Sequence, residues 1–230
     1  MCNIQISIND QKEWGRVSQE LADENLKLAS YDNTLIGLMG NIEGKQILDY
    51  GAGPGVLALA LNKMSADVRV WDISTDMRDH AGEKIGSQRV YENIEDIPYH
   101  TFDVIICNLV LCIVPEDEVL HILSNISKML HMNGHAYVGF CNPLLFNVLE
   151  TNLDLRIPTG ASYEDNHQYK KIKKEGGYEI IETHRPIEWY KKCFIDAGMR
   201  INSMHFTPEY LVGEQVIQDF VIFDLSIDSI

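Results

Sequence analysis

The stretch Ile47-Leu48-Asp49-Tyr50-Gly51-Ala52-Gly53-Pro54-Gly55-Val56-Leu57-Ala58-Leu59-Ala60-Leu61 decides the fold of this chain. It opens with a short apolar run ending at an acidic residue, which reads as a buried strand. Glycines alternate at 51, 53 and 55, and an unbroken run of helix formers follows. The physical reading is strand, tight turn, helix. Glycine is needed where the backbone takes a positive φ or lies against a ligand with no Cβ between them. Pro54 suits the first helical turn, where its missing N–H costs little. The start of that helix directs unpaired N–H groups and the positive dipole end at whatever sits over the turn, which favours a carboxylate or phosphate.

Composition narrows what surrounds this unit. The chain has 230 residues, 45% of them hydrophobic, enough for one domain with a modest insertion. Its formal net charge of −15 repels a phosphate backbone and argues against nucleic acid as a substrate. Cysteines at 2, 107, 112, 141 and 193 form no C-x-x-C and no paired framework, so reduced thiols in a cytoplasmic protein are expected. Met1 to Lys12 lacks an apolar signal core. Val104 to Val114 is broken by Asn108 and too short to span a bilayer, so no membrane partner is expected. His131 and His135 flank a turn rather than sharing a helix face, and no metal is expected.

A dinucleotide fingerprint needs G-x-G-x-x-G. Here the third glycine comes one position early and Val56 stands where that fingerprint wants glycine, which argues against a nicotinamide-dependent oxidoreductase. Asp49-x-Gly51-x-Gly53-x-Gly55 instead resembles the first motif of class I S-adenosylmethionine-dependent methyltransferases of the small-molecule type. Downstream, Asp67 to Asp72 reads as a second parallel strand ending in a carboxylate 21 positions after Gly51. Asp72-x-Ser74-x-x-Met77 resembles the second motif of the same superfamily.

The resemblance covers about residues 30 to 225 and is specific from 47 to 141. It implies S-adenosylmethionine as cofactor and S-adenosylhomocysteine as product. It implies cofactor-binding roles for Tyr31, Asp49, Gly51, Ala52, Gly53, Gly55, Asp72, Ile73, Met77, Asn93, Ile94, Asn108 and Leu109. In this picture Asp72 takes the ribose hydroxyls and Ile73 packs on adenine. Asn93 stands where relatives carry an Asp that accepts from the adenine amine; an amide oxygen still accepts, without the charge. Asn108 and Leu109 border the methionyl end, with Tyr31 beside it. After Asn108 the prolines and aromatic of amino DNA methyltransferases are missing, and so is the Pro-Cys of the cytosine C5 enzymes.

The expected fold is α/β: a Rossmann-like, doubly wound, seven-stranded sheet, mostly parallel with an antiparallel last strand, plus a lid or hairpin insertion. One domain spans 1–230, with an N-terminal helical lid over 1–30 and a cofactor-binding half over 31–141. A substrate lid insertion over 142–185 and a C-terminal helix and strands over 186–230 complete it. Trp14, Val17, Leu21, Leu26 and Leu28 fall at helical spacing, either packing on the sheet edge or closing the cleft with Trp14 toward substrate. Ser30 to Asn33 reads as the cap of a second helix. Gln88 to Tyr91 reads as a third strand, and Asn133-Gly134 as a turn before a strand over His135 to Cys141. Gln168–Lys174 and Tyr178–Thr183 read as a hairpin turning at Gly176-Gly177. Its lysines 170, 171, 173 and 174 can face Glu179 and Glu182 across the pair, and form either a solvated face or a basic rim for an anionic substrate.

These features point to methyl transfer to a small molecule through O, N or C. The catalytic residue is unknown from sequence, with His184 and His167 as bases and Tyr163 and Tyr169 as positioning groups to consider. A cofactor-binding protein without transfer activity and a protein methyltransferase stay open, while RNA is disfavoured by charge.

Overall fold

The computed structural model describes residues 5–6, 26–174, 177 and 179–227. Elements follow the periodicity of the chain. A two-residue strand, β1 (Gln5–Ile6), precedes α1 (Leu26–Met39), β2 (Gln46–Tyr50), α2 (Val56–Lys63), β3 (Asp67–Trp71) and α3 (Thr75–Ile85). Then come β4 (Phe102–Asn108), α4 (Glu116–Met129) and β5 (Leu130–Cys141). The insertion holds β6 (Asp154–Arg156), β7 (His167–Lys173) and β8 (Glu179–His184). The chain closes with α5 (Ile187–Asp196), β9 (Met199–Phe206), β10 (Tyr210–Val212), β11 (Gln215–Ile217) and β12 (Phe220–Ile227).

The central sheet has the order β3-β2-β4-β5-β12-β9. β3, β2, β4 and β5 pair in parallel. β12 runs antiparallel to both β5 and β9, so the last strand alone is reversed. One face packs on α1, α2 and α3 through Leu35, Leu57, Leu61 and Ala81, and the other on α4 and α5 through Val119, Leu123 and Phe194. The chain steps out from β2 to β3 and then back across to β4. The switch point therefore lies between β2 and β4, beyond whose carboxyl ends ligands of open α/β sheets sit.

Several boundaries differ from the sequence reading. Six strands form instead of seven. Over Gln88 to Tyr91 a 3-10 turn covers Ser87–Arg89, and Val90 makes a single parallel bridge to Val70. Arg89 explains this, because its guanidinium turns back to Asp67 Oδ1 at 2.6 Å and to the Val68 carbonyl instead of extending along the edge. Ser30 to Asn33 lies inside α1 and caps nothing, since no glycine or proline interrupts Leu26 to Ile36. The helix that holds Tyr31 therefore already begins at Leu26. Trp14, Val17 and Leu21 lie outside the described residues. β5 starts at Leu130 and bulges before His135, so Asn133-Gly134 sits within the strand. A Cβ on Gly134 would lie 2.9 Å from the Phe102 carbonyl oxygen, which is why glycine stands there.

The insertion pairs as its own sheet in the order β1-β8-β7-β6. Its hairpin register sets His167 opposite His184 and Tyr169 opposite Glu182. The third strand, β6, was not foreseen from the irregular sequence over 142–160. β10 and β11 form a further small hairpin, which separates Gln215–Ile217 from the last strand, Phe220–Ile227. Thr207 holds the break, with its N–H on the Phe220 carbonyl and its hydroxyl accepting the Phe220 N–H at 3.2 Å.

Candidate active site

All three glycines of the turn have positive φ: 76° at Gly51, 55° at Gly53 and 76° at Gly55. Their surroundings differ. A Cβ on Gly51 would lie 2.4 Å from Val110 Cγ2, and one on Gly55 would lie 2.9 Å from Ala81 Cα. A Cβ on Gly53 would meet nothing within 4 Å. Gly51 and Gly55 thus admit the loop after β4 and the body of α3, whereas Gly53 borders open space. The turn hangs on β3: Gly51 and Ala52 both donate N–H to the Trp71 carbonyl, at 2.8 and 3.2 Å.

Two carboxylates flank this space, Asp49 buried and Asp72 half-buried. Asp72, at the tip of β3, accepts the Gly53 N–H on Oδ2 at 2.8 Å and the Ser74 N–H on Oδ1 at 2.9 Å. It clamps the turn to the start of α3, and each oxygen keeps a second lone pair for a guest. Burial raises its carboxyl, opposed by those two N–H donors and by Arg78. Asp49, on β2, is pushed up to about 8 by burial, with repulsion from Asp32 and Asp72 adding to it. Arg78 fixes the bend after Asp72 by donating to the Asp72 and Ile73 carbonyls at 2.8 and 3.2 Å. Ile73 then stands 60% exposed beside the clamp, an apolar face with nothing of its own to cover.

The remaining residues implied by the resemblance lie along the same carboxyl edge or near it. Asn93 Nδ2 donates to Asp96 Oδ2 at 2.9 Å, which leaves its amide oxygen turned away as an acceptor. Ile94 packs on the core beside it. Met77 is buried in α3, its N–H on Ser74 Oγ. Asn108 ends β4 and accepts the Tyr31 hydroxyl at 2.6 Å. Tyr31 itself is 1% exposed, edge-on to Phe220, and its oxygen lies where a Cβ on Gly139 would be. Leu109 takes a left-handed φ of 59° and donates its N–H to the Gly139 carbonyl at 2.7 Å. A non-glycine residue held there stores strain of the kind that gathers at functional edges.

The lid sheet covers the carboxyl end of β5. Between them a narrow crevice, with room for about one water molecule, is lined by Cys112, Cys141, Tyr169, Glu182, His184 and Arg185 among others. Of the four residues proposed from sequence for chemistry, His184 and Tyr169 line it, and His167 and Tyr163 stand behind them. His184 Nε2 lies 2.8 Å from the Tyr163 carbonyl, which can only accept, so Nε2 carries the proton and Nδ1 the lone pair. Burial lowers the His184 imidazole below its usual value, keeping it neutral. Tyr169 donates its hydroxyl to Glu182 at 2.7 Å. Tyr163 accepts the Ile187 N–H at the start of α5.

The lysines of the hairpin correct the sequence reading. Lys171 is 0% exposed and Lys173 is buried, so the pair forms neither a solvated face nor a rim. Lys171 pairs with Glu182 and lies 3.3 Å from Asp154, and Lys173 reaches Asp154 at 2.6 Å. Alternate positions of β7 point inward, and β6 supplies the carboxylate they meet. Lys170 and Lys174 stay outside, near Glu179 and Glu150. Cys112, Cys141 and Glu182 bring metal-type ligand atoms within 4.8 Å of one another. Lys171 Nζ, however, sits 3.1 Å from Cys141 Sγ and on Glu182, so an ammonium already fills the position a cation would take. Cys112, hydrogen-bonded to Cys141, holds the Cys141 thiol at about 7, helped by Lys171.

Comparison with known proteins agrees with this geometry. Residues 48–138 match a family model described as a methyltransferase domain. The chain is 27% identical over 194 residues to a ubiquinone biosynthesis O-methyltransferase of Aliivibrio fischeri (strain MJ11), covering 78% of this chain and 76% of that protein. It is 26% identical over 185 residues to a trans-aconitate 2-methyltransferase of Mycolicibacterium gilvum, covering 78% and 68%. A crystal structure of a putative S-adenosylmethionine-dependent methyltransferase from Listeria monocytogenes superposes with a TM-score of 0.64 at 20% identity, over 87% of this chain and 99% of that one. Residues 48–138 thus match a methyltransferase domain, and the chain shares its fold with solved S-adenosylmethionine-dependent methyltransferases. The relatives are described as methyltransferases, and the solved structures of this fold include S-adenosylmethionine-dependent ones. Among the described residues no helix is long and apolar enough to cross a membrane.

Proposed function

We propose that this enzyme methylates a small molecule held between the carboxyl end of the sheet and the lid, with S-adenosylmethionine over the glycine turn. The observation that carries the reading is the open space at Gly53, bordered by the clamped Asp72 carboxylate and the exposed Ile73. That set fits the cofactor's parts. Asp72 has lone pairs for a ribose diol, Ile73 an apolar face for adenine, and the Asn93 amide oxygen an acceptor for its amine. Asp49, Tyr31, Asn108 and Leu109 face the region left for the methionyl end. Ala52 and Ile94 add backbone and apolar contact, Met77 supports the clamp from below, and Gly51 and Gly55 shape the turn.

When bound, the cofactor would supply a sulfonium methyl group to the acceptor's lone pair, with the C–S electron pair left on sulfur and the acceptor's proton released to a base or to solvent. The protein's part is therefore alignment and exclusion of water. His184, neutral with Nδ1 unprotonated, is placed to take that proton, and the Glu182-Tyr169 pair is placed to orient the acceptor. The small-molecule reading is supported by the relatives' printed activities. Calorimetric titration with S-adenosylhomocysteine tests the cofactor site. We expect binding by the wild type and at least a tenfold loss in Asp72→Ala. Undiminished affinity in that variant would remove Asp72 from the site.

A further inference from the structure

The cleft under the lid holds two guanidinium groups that no carboxylate of the described residues contacts directly. Arg156 and Arg185 both line it, at 7% and 2% exposure. The neighbouring lysines are matched by Asp154 and Glu182, as described above. Arg156 feels Asp154 and Glu182 only at longer range and Arg185 lies over the Trp189 ring at 4.9 Å, and among the described residues neither forms an ion pair with a carboxylate. Arg156 donates from Nη1 to the Leu145 carbonyl at 2.6 Å, and its buried Nε has no acceptor. Arg185 spends both terminal nitrogens on the Leu111 and Val114 carbonyls, at 2.8 and 2.7 Å, and its buried Nε is likewise without one. Asp219, the other buried carboxylate nearby, accepts from Tyr210 at 2.8 Å and forms no ion pair.

A guanidinium cannot shed its proton, and burying one without a counter-charge is costly. Carbonyl contacts satisfy hydrogens without neutralising the charge. In Arg156 the occupied nitrogen is Nη1, so the free edge is Nε with Nη2, the edge that takes a planar carboxylate side-on.

We propose that the methyl acceptor is a small organic carboxylate, bound through its carboxylate to the Nε edge of Arg156 with Arg185 behind it. Its identification as the acceptor rests on the methyl-transfer reading above, whereas the anion site stands on the arginines alone. The cleft as described is narrow, so the lid sheet lifts away from β5 to admit the guest.

The test uses the full chain saturated with S-adenosylhomocysteine, at constant ionic strength. Thermal shifts are read with acetate, succinate and benzoate, with the matching amides, and with inorganic phosphate. At least one carboxylate should raise the Tm by several degrees while its amide does not. Arg156→Gln should abolish that shift with affinity for S-adenosylhomocysteine within twofold of wild type, and Arg156→Lys, which keeps the charge, should retain part of it. Absence of any carboxylate shift, equal shifts with the amides, a response to phosphate alone, or a full response in Arg156→Gln would each overturn the assignment. In parallel, a metabolite extract is separated into acidic, neutral and basic fractions before incubation with methyl-labelled cofactor. Label should enter the acidic fraction. Label only in the others overturns the acceptor class, while no label in any fraction counts against methyl transfer and leaves the thermal-shift result to decide the anion site.

Discussion

Gly53 and Gly55 share a left-handed backbone yet answer to different neighbours, and their alanine variants should separate. At Gly53 the new methyl enters open space, so the cost to folding is the left-handed penalty of about 1 kcal/mol. The cost to cofactor affinity should be tenfold or more in a binding titration. At Gly55 the methyl meets the Ala81 backbone, and overpacking adds to the same penalty. Denaturation should then show a loss of about 3 kcal/mol, with affinity little changed in the folded fraction. Asp49 carries a pH signature. Its carboxyl lies at about 8 in the folded chain against 3.8 as the ordinary value, so folding takes up a proton between them. The stability it contributes is full at low pH and is lost as pH rises through about 8. Asp49→Asn should therefore melt higher than wild type above that pH when ligand-free. A cationic amine placed nearby favours the ionised form, so wild-type affinity for S-adenosylhomocysteine should climb between pH 6.5 and 8.5 while the variant's stays flat. His184→Gln should lower kcat at least tenfold and leave cofactor affinity within twofold; an unchanged kcat would remove it as the proton acceptor.

Among the elements, the lid sheet turns inward a row that a sequence pattern would assign to water. Lys171 is held by two carboxylates and a thiol with no solvent contact. Replacing it by methionine strands Glu182, and urea unfolding should show a loss of about 3–5 kcal/mol. The double variant Lys171→Met with Glu182→Met should recover much of that, since the isolated charge is then gone. This contrast also shows what was readable in the chain. The turn from Asp49 to Gly55 and the clamp from Asp72 to Met77 are contiguous, so local chemistry announces them. The ion network joins residues 141, 154, 171, 173 and 182, which lie on four strands and meet only once β6 and β8 pair with β7 and the sheet packs on β5. The hairpin pairing of the lysines with Glu182 was readable, whereas their burial and the Asp154 carboxylate were not, because β6 lies in an irregular stretch. The edge strand lost at Val90 failed for a similar reason, because it depends on where the Arg89 side chain goes.

For the whole molecule, the parallel half and the lid meet through few elements, and Arg185 is a principal tie, bonded to the loop after β4 from the start of α5. A ligand bridging both halves should stabilise the entire chain. At a hundred times its dissociation constant, S-adenosylhomocysteine should add about 2.7 kcal/mol, which scanning fluorimetry would read as a rise of roughly 5–10 °C. Hydrogen exchange should slow at 51–55, 72–77 and 108–112 and leave α4 unaffected. The doubly wound order with a reversed last strand was legible from the alternation of strand and helix, and the residues beyond the carboxyl ends of β2 and β3 followed from it.

The hydroxyl of Tyr31 occupies the volume that any side chain on residue 139 would need. Neither position is then free to drift by itself. Along the lineage of this protein a larger residue at 139 demands a smaller one at 31, and a set of aligned relatives should show the two changing as a couple. A homologue bearing both tyrosine and alanine at these sites would have to seat its first helix elsewhere.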